Sequence, residues 1–327
     1  MEFDNNLEKI ADILKNNDSF VIFTHSYPDG DGIGSSIAFY KLLLNMGKKA
    51  DMVCDSEMPY QYEFLPYINK VIKNISALSV KNKYVALFLD CADIKRINID
   101  EEKLRENARY IINIDHHLSN TNFGQINIID SSKSSTAEII FLFFDKYFKK
   151  YFDKEIAESL YTGILTDTGK FQYSNTTKEV HRIVSLLLEY DINPSSIFSN
   201  IYENEPANRF KLLELVFKRV KITPGNYLIY SYILEKDFKK FDLPYSVNDG
   251  IIELLRSAGG IKVAALFKEI EPDSYKISLR ASNNGVNVAK IADSFGGGGH
   301  KSAAAFSSCG KLNVIVEELV SEIESIL

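Results

Sequence analysis

The sequence predicts an α/β fold: a parallel-sheet N-terminal domain over residues 1–200, a helical linker over 201–222 and a smaller α+β C-terminal domain over 223–327. Three observations carry this. Phe20–Phe23, Tyr84–Leu89 and Tyr110–Ile114 are apolar runs without polar alternation, the pattern of strands covered on both faces of a parallel sheet. A segment of helical period, Ile33–Met46, lies between the first two, as a crossover connection requires. Near residue 223, Thr223-Pro224-Gly225-Asn226 is a strong turn signal and opens a region of alternating strands and helices.

Taken in order, residues 5–15 read as an amphipathic helix and Phe20–Thr24 as a buried strand ended by His25. The stretch Thr24–Ser36, T-H-S-Y-P-D-G-D-G-I-G-S-S, then has the composition of a metal-binding turn. Pro28 fixes φ, and Gly30 and Gly32 permit φ > 0, so a tight backbone would gather His25, Asp29 and Asp31 near one point. Carboxylates two residues apart could reach two ions. An ordinary Asp-Gly turn bonded to local N–H groups is the alternative for that short motif alone. Ile33–Met46 follows as a helix stopped by Gly47, and Ser35, Ser36 and the N–H groups of its first turn are candidate phosphate contacts.

Lys49–Cys54 reads as a second strand, and residues 59–80 are ambiguous. Tyr84–Leu89 runs into Asp90, and Tyr110–Ile114 into Asp115-His116-His117. Ligands of open parallel sheets bind outside the carboxyl ends of the strands, so His25, Asp90 and His116 are expected to converge in one crevice. Asp115 is placed to orient one imidazole and leave the other for substrate. Ser134–Phe148 is a helix opened by the capping sequence S-S-T-A-E. Asp153–Leu165 is another, followed by T-D-T-G-K-F with Asp167. His181, on a helix, has no ligand spacing to the others.

Residues 190–220 hold two helices with Pro194 and Pro206. Beyond the turn come a strand at Tyr227–Leu234, a helix at Asn248–Arg256, strands at Ile261–Ile270 and Tyr275–Ala281, a helix at Val288–Ser294 and a final helix from Leu312. Phe295–Phe306, F-G-G-G-G-H-K-S-A-A-A-F, is the notable stretch. Consecutive glycines let backbone N–H groups approach an anion as a nest, and His300 and Lys301 follow. Arg280, in S-L-R-A-S, is a second anion candidate through its planar fork.

At 45% hydrophobic and 25% charged, the 327 residues are ordinary for a globular protein. The net charge of −6 argues against coating nucleic acid through a broad basic face. Ions held by carboxylates would still attract a phosphate. Cys54, Cys91 and Cys309 are odd in number and widely spaced, so neither a disulfide framework nor a thiolate zinc site is indicated. The N-terminus lacks the basic start and apolar core of a signal peptide, and the densest apolar run, Ile139–Phe144, is too short to span a bilayer. The expectation is a cytoplasmic protein with no membrane partner.

His25-x-x-x-Asp29-x-Asp31, Asp90, Asp115-His116-His117 and Asp167, in that order, resemble the four motifs of the DHH phosphoesterase superfamily. The stretch G-G-G-G-H-K-S-A-A-A-F resembles the signature of the DHH-associated C-terminal domain in its nanoRNase branch, and the length matches the short bacterial NrnA-like proteins. The resemblance implies two Mn²⁺ ions, with Mg²⁺ or Co²⁺ as substitutes. His25 and Asp29 would hold the first, Asp31, His116 and Asp167 the second, and Asp90 would bridge them. Asp90, Asp115 and His117 would form the catalytic set, with His117 on the scissile phosphate. Arg280, Gly297, Gly298, Gly299 and His300 would hold the nucleotide from the C-terminal domain, across an active-site cleft between the domains.

The activity implied is hydrolysis of short RNA or DNA oligonucleotides, of linear dinucleotides such as pApA, and of 3′-phosphoadenosine 5′-phosphate to AMP, by two-metal activation of a bridging water. That water would deprotonate as pH rises, so activity should rise with it. The other readings are a cyclic di-AMP phosphodiesterase, an inorganic pyrophosphatase or polyphosphatase, and a non-catalytic nucleotide sensor. No obligatory protein partner is evident, and a homodimer stays open. Ala305 departs from the Gly usual in the family's A-A-G-F and is expected to restrict the backbone there.

Overall fold

The computed structural model describes residues 2–74, 78–79, 83–243, 250–282 and 286–327. The chain divides into two compact units, one ending at Asn204 and the other beginning at Glu205.

The first unit comprises α1 (Glu2–Asn16), β1 (Ser19–Phe23), α2 (Gly30–Asn45), β2 (Lys49–Val53), β3 (Val71–Ile72), β4 (Tyr84–Leu89), α3 (Glu101–Asn107), β5 (Ala108–Asp115), β6 (Ile126–Ile129), α4 (Thr136–Tyr147), α5 (Lys154–Asp167), α6 (Lys178–Leu188) and α7 (Pro194–Tyr202). Its six strands pair in parallel in the order β3-β2-β1-β4-β5-β6. Residues 59–80, ambiguous in the sequence, form short 3₁₀ turns at Tyr60–Tyr62 and Ile68–Lys70 and then β3, with 75–77 and 80 outside the described residues.

Side chains alternate across the sheet, and both sides are apolar. Phe20, Ile22, Leu87 and Ile112 face the core built with α1, α2, α4 and α5, while Val21, Phe23, Phe88 and Ile111 pack with Ile94 and Leu104 on the other side. This two-sided burial is why the strands carry no polar alternation. The strand order reverses between β1 and β4, and at such a switch the connections leave in opposite directions and open a crevice at the carboxyl ends. His25 follows β1 and Asp90 follows β4, so the reversal sets both beside that crevice.

Helix α2 begins at Gly30, three residues before the start expected from Ile33, because Asp29 is its N-cap: Oδ1 accepts from the N–H groups of Asp31 at 3.1 Å and Gly32 at 3.2 Å. Those N–H groups are therefore taken by the chain itself. Ser35 donates to Asp31 Oδ1 at 3.3 Å, and Ser36 is buried beside Ile33 and Met52, so neither serine presents itself as the phosphate contact expected. The glycines here also do a different job. Gly30, Gly32 and Gly34 keep negative φ, and the left-handed residue of the connection is Tyr27, at φ 55°.

The glycines let two helices cross closely. A Cβ on Gly34 would stand 2.3 Å from the Ser159 carbonyl oxygen, one on Gly30 2.5 Å from Thr166 Oγ1, and one on Gly163 2.9 Å from Asp31 Oδ1. The α2–α5 crossing brings Asp31 toward Asp167. Gly34→Ala pushes a methyl into a backbone carbonyl that cannot yield, and is expected to destabilise the protein by about 1–3 kcal/mol. A denaturant midpoint equal to that of the unsubstituted protein would contradict this.

The second unit comprises α8 (Ala207–Lys218), β7 (Lys221–Ile222), β8 (Leu228–Ile233), α9 (Glu235–Phe241), α10 (Ile251–Arg256), β9 (Val263–Glu271), β10 (Ser274–Ala281), α11 (Val288–Ser294), β11 (Gly298–His300), β12 (Ala303–Cys309) and α12 (Leu312–Ile326). The helix expected from Asn248 starts at Ile251, and residues 248–249 lie outside the described residues. The sheet order is β11-β12-β10-β9-β8-β7, antiparallel except for the parallel pair β8–β9.

The region expected as a linker, 201–222, is divided between the units. Helix α8 is packed into the second by buried Leu212, Leu213 and Val216, by Ser231 Oγ donating to the Val216 carbonyl at 2.7 Å, and by the ion pair of Arg219 with Asp237 just past its end. Its apolar face needs that sheet for cover, so it is no free spacer.

The glycine run is ordered by its neighbours and does not fold into the nest expected. Gly296, at φ 72°, ends α11: its N–H reaches the Asp293 carbonyl at 2.9 Å and that of Gly297 reaches Ala292 at 2.8 Å, a Schellman pair. Gly298–His300 then pair with β12 as an edge strand. Side chains at two positions would collide with β12: a Cβ on Gly297 would meet the Ala305 oxygen at 2.3 Å, and one on Gly299, at φ 145°, the Ala304 Cα at 2.5 Å. Ala305 itself lies in regular β12 pairing without positive φ, so alanine imposes no strain there.

Candidate metal centre

Eight side chains meet at the carboxyl ends of β1, β4 and β5. Their ligand atoms form three groups in which all lie within 4.8 Å of one another: His25, Asp29 and Asp90; Asp31, His116 and Asp167; and Asp90, Asp115, His116 and His117. Asp90 joins them. Its Oδ2 stands 3.6 Å from His25 Nε2, and its Oδ1 3.7 Å from His116 Nε2 and 3.6 Å from His117 Nδ1. On the far side His116 Nε2 is 3.3 Å from Asp167 Oδ2 and 4.0 Å from Asp31 Oδ2.

Several of these side chains are fixed from behind. His25 Nδ1 donates to the Ser26 carbonyl at 2.9 Å, which sets the tautomer and leaves Nε2 with its lone pair toward the cluster. Asp31 receives the N-terminus of α4, with Thr136 N–H on Oδ2 at 2.6 Å and Ala137 N–H on Oδ1 at 2.9 Å. Thr136 Oγ1 donates to Asp90 Oδ1 at 3.0 Å. Asp90 sits in the left-handed region at φ 56°, which an aspartate tolerates better than most residues, with its N–H on the Ile114 carbonyl at 3.0 Å.

Asp115 anchors the His117 imidazole and the His116 backbone. Its Oδ1 accepts from the His116 N–H at 2.8 Å and from His117 Nδ1 at 2.7 Å, and its Oδ2 from Asn120 Nδ2 at 2.6 Å. Asn175 Nδ2 ties the end of α5 down through the carbonyls of Asp167 and Ser134, both at 3.1 Å. Thr136, Asn120 and Asn175 carry no motif spacing that would have marked them in the sequence. The nearest signal was the capping sequence before α4, whose N-cap is Ser135 and whose first N–H groups serve Asp31.

The electrostatics favour a cation at the centre. Burial, then the carboxylates of Asp90, Asp167 and Asp29, holds Asp31 well above the ordinary carboxylate range. Burial and the charges of Asp29 and Asp90 do the same to Asp167. Asp90 goes the other way: burial opposes its charge, but the hydrogen bond from His25 and the charges of His117, His25 and His116 outweigh it and hold it low. His117 is pushed up to about 9, burial being overcome by its bond to Asp115 and the charge of Asp90. A divalent ion would relieve the repulsion that lifts Asp31 and Asp167.

The donor set fits a hard ion. It consists of carboxylates and imidazoles without thiolate, which suits Mn²⁺ or Mg²⁺. Cys91 gives its Sγ to the Asp93 carbonyl at 3.1 Å and is pushed up to about 12, first by burial, and Cys54 gives its Sγ to the His25 carbonyl at 3.5 Å and is also raised by burial, so both stay thiols.

The remaining residues singled out in the sequence lie elsewhere. His181 is exposed on α6 with its ring 5.7 Å from that of Phe171. Arg280, Gly297, Gly298 and Gly299 belong to the second unit, and the side chain of His300 lies outside the described residues. Arg280 is partly engaged within its own unit, with Nε on Glu253 Oε1 at 2.9 Å and Nη1 on the Leu279 carbonyl at 3.2 Å. No helix among the described residues is long and apolar enough to cross a membrane.

Comparison with known proteins places this arrangement. Residues 19–164 match the DHH family, N-terminal domain, and residues 225–327 the DHHA1 domain. The chain is 33% identical, over 90% of its length and 86% of the relative's, to the bifunctional oligoribonuclease and PAP phosphatase NrnA of Thermus thermophilus. Among solved structures, an exopolyphosphatase-related protein from Bacteroides fragilis superposes with a TM-score of 0.89 at 26% identity, covering 99% of this chain and 95% of that one. Thermus thermophilus RecJ in complex with Mn²⁺ shares the fold at a TM-score of 0.57 and 13% identity, over 98% of this chain and 54% of that one.

Proposed function

Because this chain belongs to the DHH family, we propose that it is a two-metal phosphodiesterase that hydrolyses short oligonucleotides and linear dinucleotides such as pApA to mononucleotides, and 3′-phosphoadenosine 5′-phosphate to AMP. The observation that carries the reading is the position of Asp90, one oxygen toward His25 and the other toward His116, with a complete ligand group on each side. His25, Asp29 and Asp90 would hold one ion; Asp31, His116, Asp167 and Asp90 the other. A paired site of this kind supplies an activated water and charge for both attacking and leaving oxygens of an in-line displacement. Mn²⁺ is the ion proposed, with Mg²⁺ or Co²⁺ as substitutes. The relative's name, oligoribonuclease and PAP phosphatase, supports this substrate class.

The chain's own groups do the positioning. Asp115 holds His117 through Nδ1, which keeps the ring turned for a scissile phosphate. In the second unit, Arg280 is steadied by Glu253, and β11, which follows Gly297, is an edge strand whose outward backbone groups suit an anion. These residues, together with His300, are the proposed nucleotide grip.

The test is turnover of a panel: pApA, an RNA ladder of two to ten nucleotides, cyclic di-AMP, 3′-phosphoadenosine 5′-phosphate, polyphosphate and pyrophosphate, each with Mn²⁺ and with chelator. Metal-dependent loss of the shortest linear oligonucleotides is expected. Cleavage of pyrophosphate or polyphosphate alone would overturn the nucleotide reading, and no cleavage at all would leave a sensor. Asp115→Asn keeps the shape of the anchor but loses its charge, and is expected to lower turnover of pApA by about 10–100-fold, the usual size for a group that orients a metal-site imidazole. An unchanged rate would contradict the anchoring role.

A further inference from the structure

We propose that Tyr27 and Arg96 form a nucleoside-phosphate subsite beside the metal centre, with Tyr27 stacking on a base and Arg96 answering a phosphate of the same nucleotide. The proposal rests on the phosphodiesterase reading and names what selects its substrate.

Tyr27 lies between His25 and Asp29 in the chain, and its side chain gains little from folding: the residue is 85% exposed. Its backbone is strained as well. A φ of 55° is unfavourable for a bulky residue, and a residue ahead of proline, here Pro28, is pushed toward extended conformations. The surrounding structure enforces this geometry. The Tyr27 N–H donates to Ser56 Oγ at 2.6 Å, the Ser26 N–H to the Arg96 carbonyl at 2.9 Å, and Ser26 Oγ to Asp55 Oδ2 at 2.8 Å. The same Asp55 oxygen accepts from the Asn98 N–H at 3.0 Å. An aromatic ring held in solvent by a strained backbone beside candidate ligands has a use outside packing.

Arg96 ends the 3₁₀ turn Ile94–Arg96 after β4, and that turn is bonded to the Tyr27 segment by the Ser26 contact. Its side chain is exposed, and among the described residues no carboxylate pairs with it. The Ser26 contact sets the Arg96 backbone against a residue that stands between His25 and Tyr27 in the chain. Leu118, directly after His117, is 82% exposed and adds a second apolar group to the rim. A planar apolar face and a planar cation on two tied loops match a base and a phosphate. Pyrophosphate and polyphosphate have no face to stack, so this subsite would favour nucleotides over them.

Binding without turnover tests the proposal. Calorimetry of the 327-residue chain with AMP and with ribose 5-phosphate, with and without Mn²⁺, isolates the contribution of the base. AMP is expected to bind about tenfold or more tighter than ribose 5-phosphate. Tyr27→Phe is expected to keep that ratio, Tyr27→Ala to bring it near one, and Arg96→Gln to weaken both ligands alike. A ratio of one in the unsubstituted chain, or a ratio that survives Tyr27→Ala, would overturn the subsite. Metal-dependent cleavage of pApA without an AMP preference would remove the subsite and leave the phosphodiesterase reading intact; an AMP preference without cleavage would do the reverse.

Discussion

Asp90→Asn is expected to reduce turnover of pApA by at least about a thousandfold while leaving the chain folded. The carboxylate is 1% exposed, and its two oxygens face different ligand groups. Asparagine keeps the shape but offers one neutral oxygen and an NH₂ that would point at an ion or at a histidine already oriented by another acceptor. Losing a shared anionic ligand weakens both ion sites at once, and charge stabilisation at such sites is worth several kcal/mol. Three decades of rate correspond to about 4 kcal/mol of barrier. The fold is expected to survive: asparagine tolerates φ near 56°, and the loss of a charge that His25, His116 and His117 stabilise is offset in part by relief of the repulsion on Asp31 and Asp167. Circular dichroism and a thermal midpoint establish that the variant is folded. Turnover within tenfold of the unsubstituted chain would mean that Asp90 does not join the two groups. A sensor would bind nucleotide much as before and have no turnover to lose.

How legible this site was depends on how each residue is specified. His25, Asp90 and His116 could be read because each ends an apolar strand, and the parallel arrangement itself brings strand ends together. The path by which Asp29 and Asp31 enter was misread. Glycines beside carboxylates suggested a tight turn, whereas Gly30 and Gly34 face α5 and clear space for a helix crossing, a contact with residues more than a hundred positions away. The partners that aim the carboxylates were invisible for the same reason. Thr136 and Ala137 reach Asp31 across 105 and 106 residues, and nothing local to either stretch encodes that meeting. In the second unit the glycine run was read as an anion nest, whereas Gly297 and Gly299 are small because the strand Ala303–Cys309 packs against them. Local chemistry marked the candidates; long-range packing decides which atoms they turn toward one another.

Removing divalent ions is expected to lower the thermal midpoint by on the order of 10 °C, and the gap is expected to widen as pH rises from about 6.5 to about 8.5. A ligand at a thousand times its dissociation constant stabilises by about 4 kcal/mol, and a unit of this size shifts by roughly 2–4 °C per kcal/mol. The pH trend follows from the stripped centre. Asp31 and Asp167 have folded proton affinities above their unfolded ones, so wherever they still hold protons the native state binds more of them than the unfolded state, and their part of the stability falls as pH rises through their folded values. His25 and His117 are also raised, His117 to about 9; their contribution is complete below the unfolded value near 6.5 and is lost as pH climbs through the folded value. Asp90 and Asp115 are held low, so their stabilisation is already complete above the ordinary carboxylate range and stays constant across the window. In the loaded protein the ligating imidazoles are neutral and the carboxylates ionised throughout, which removes the share of His25, Asp31 and Asp167 in the downward slope from one arm of the comparison only. Midpoints measured with Mn²⁺ and with chelator at matched ionic strength test this. A gap that narrows with rising pH would mean that these carboxylates and imidazoles do not hold the ions.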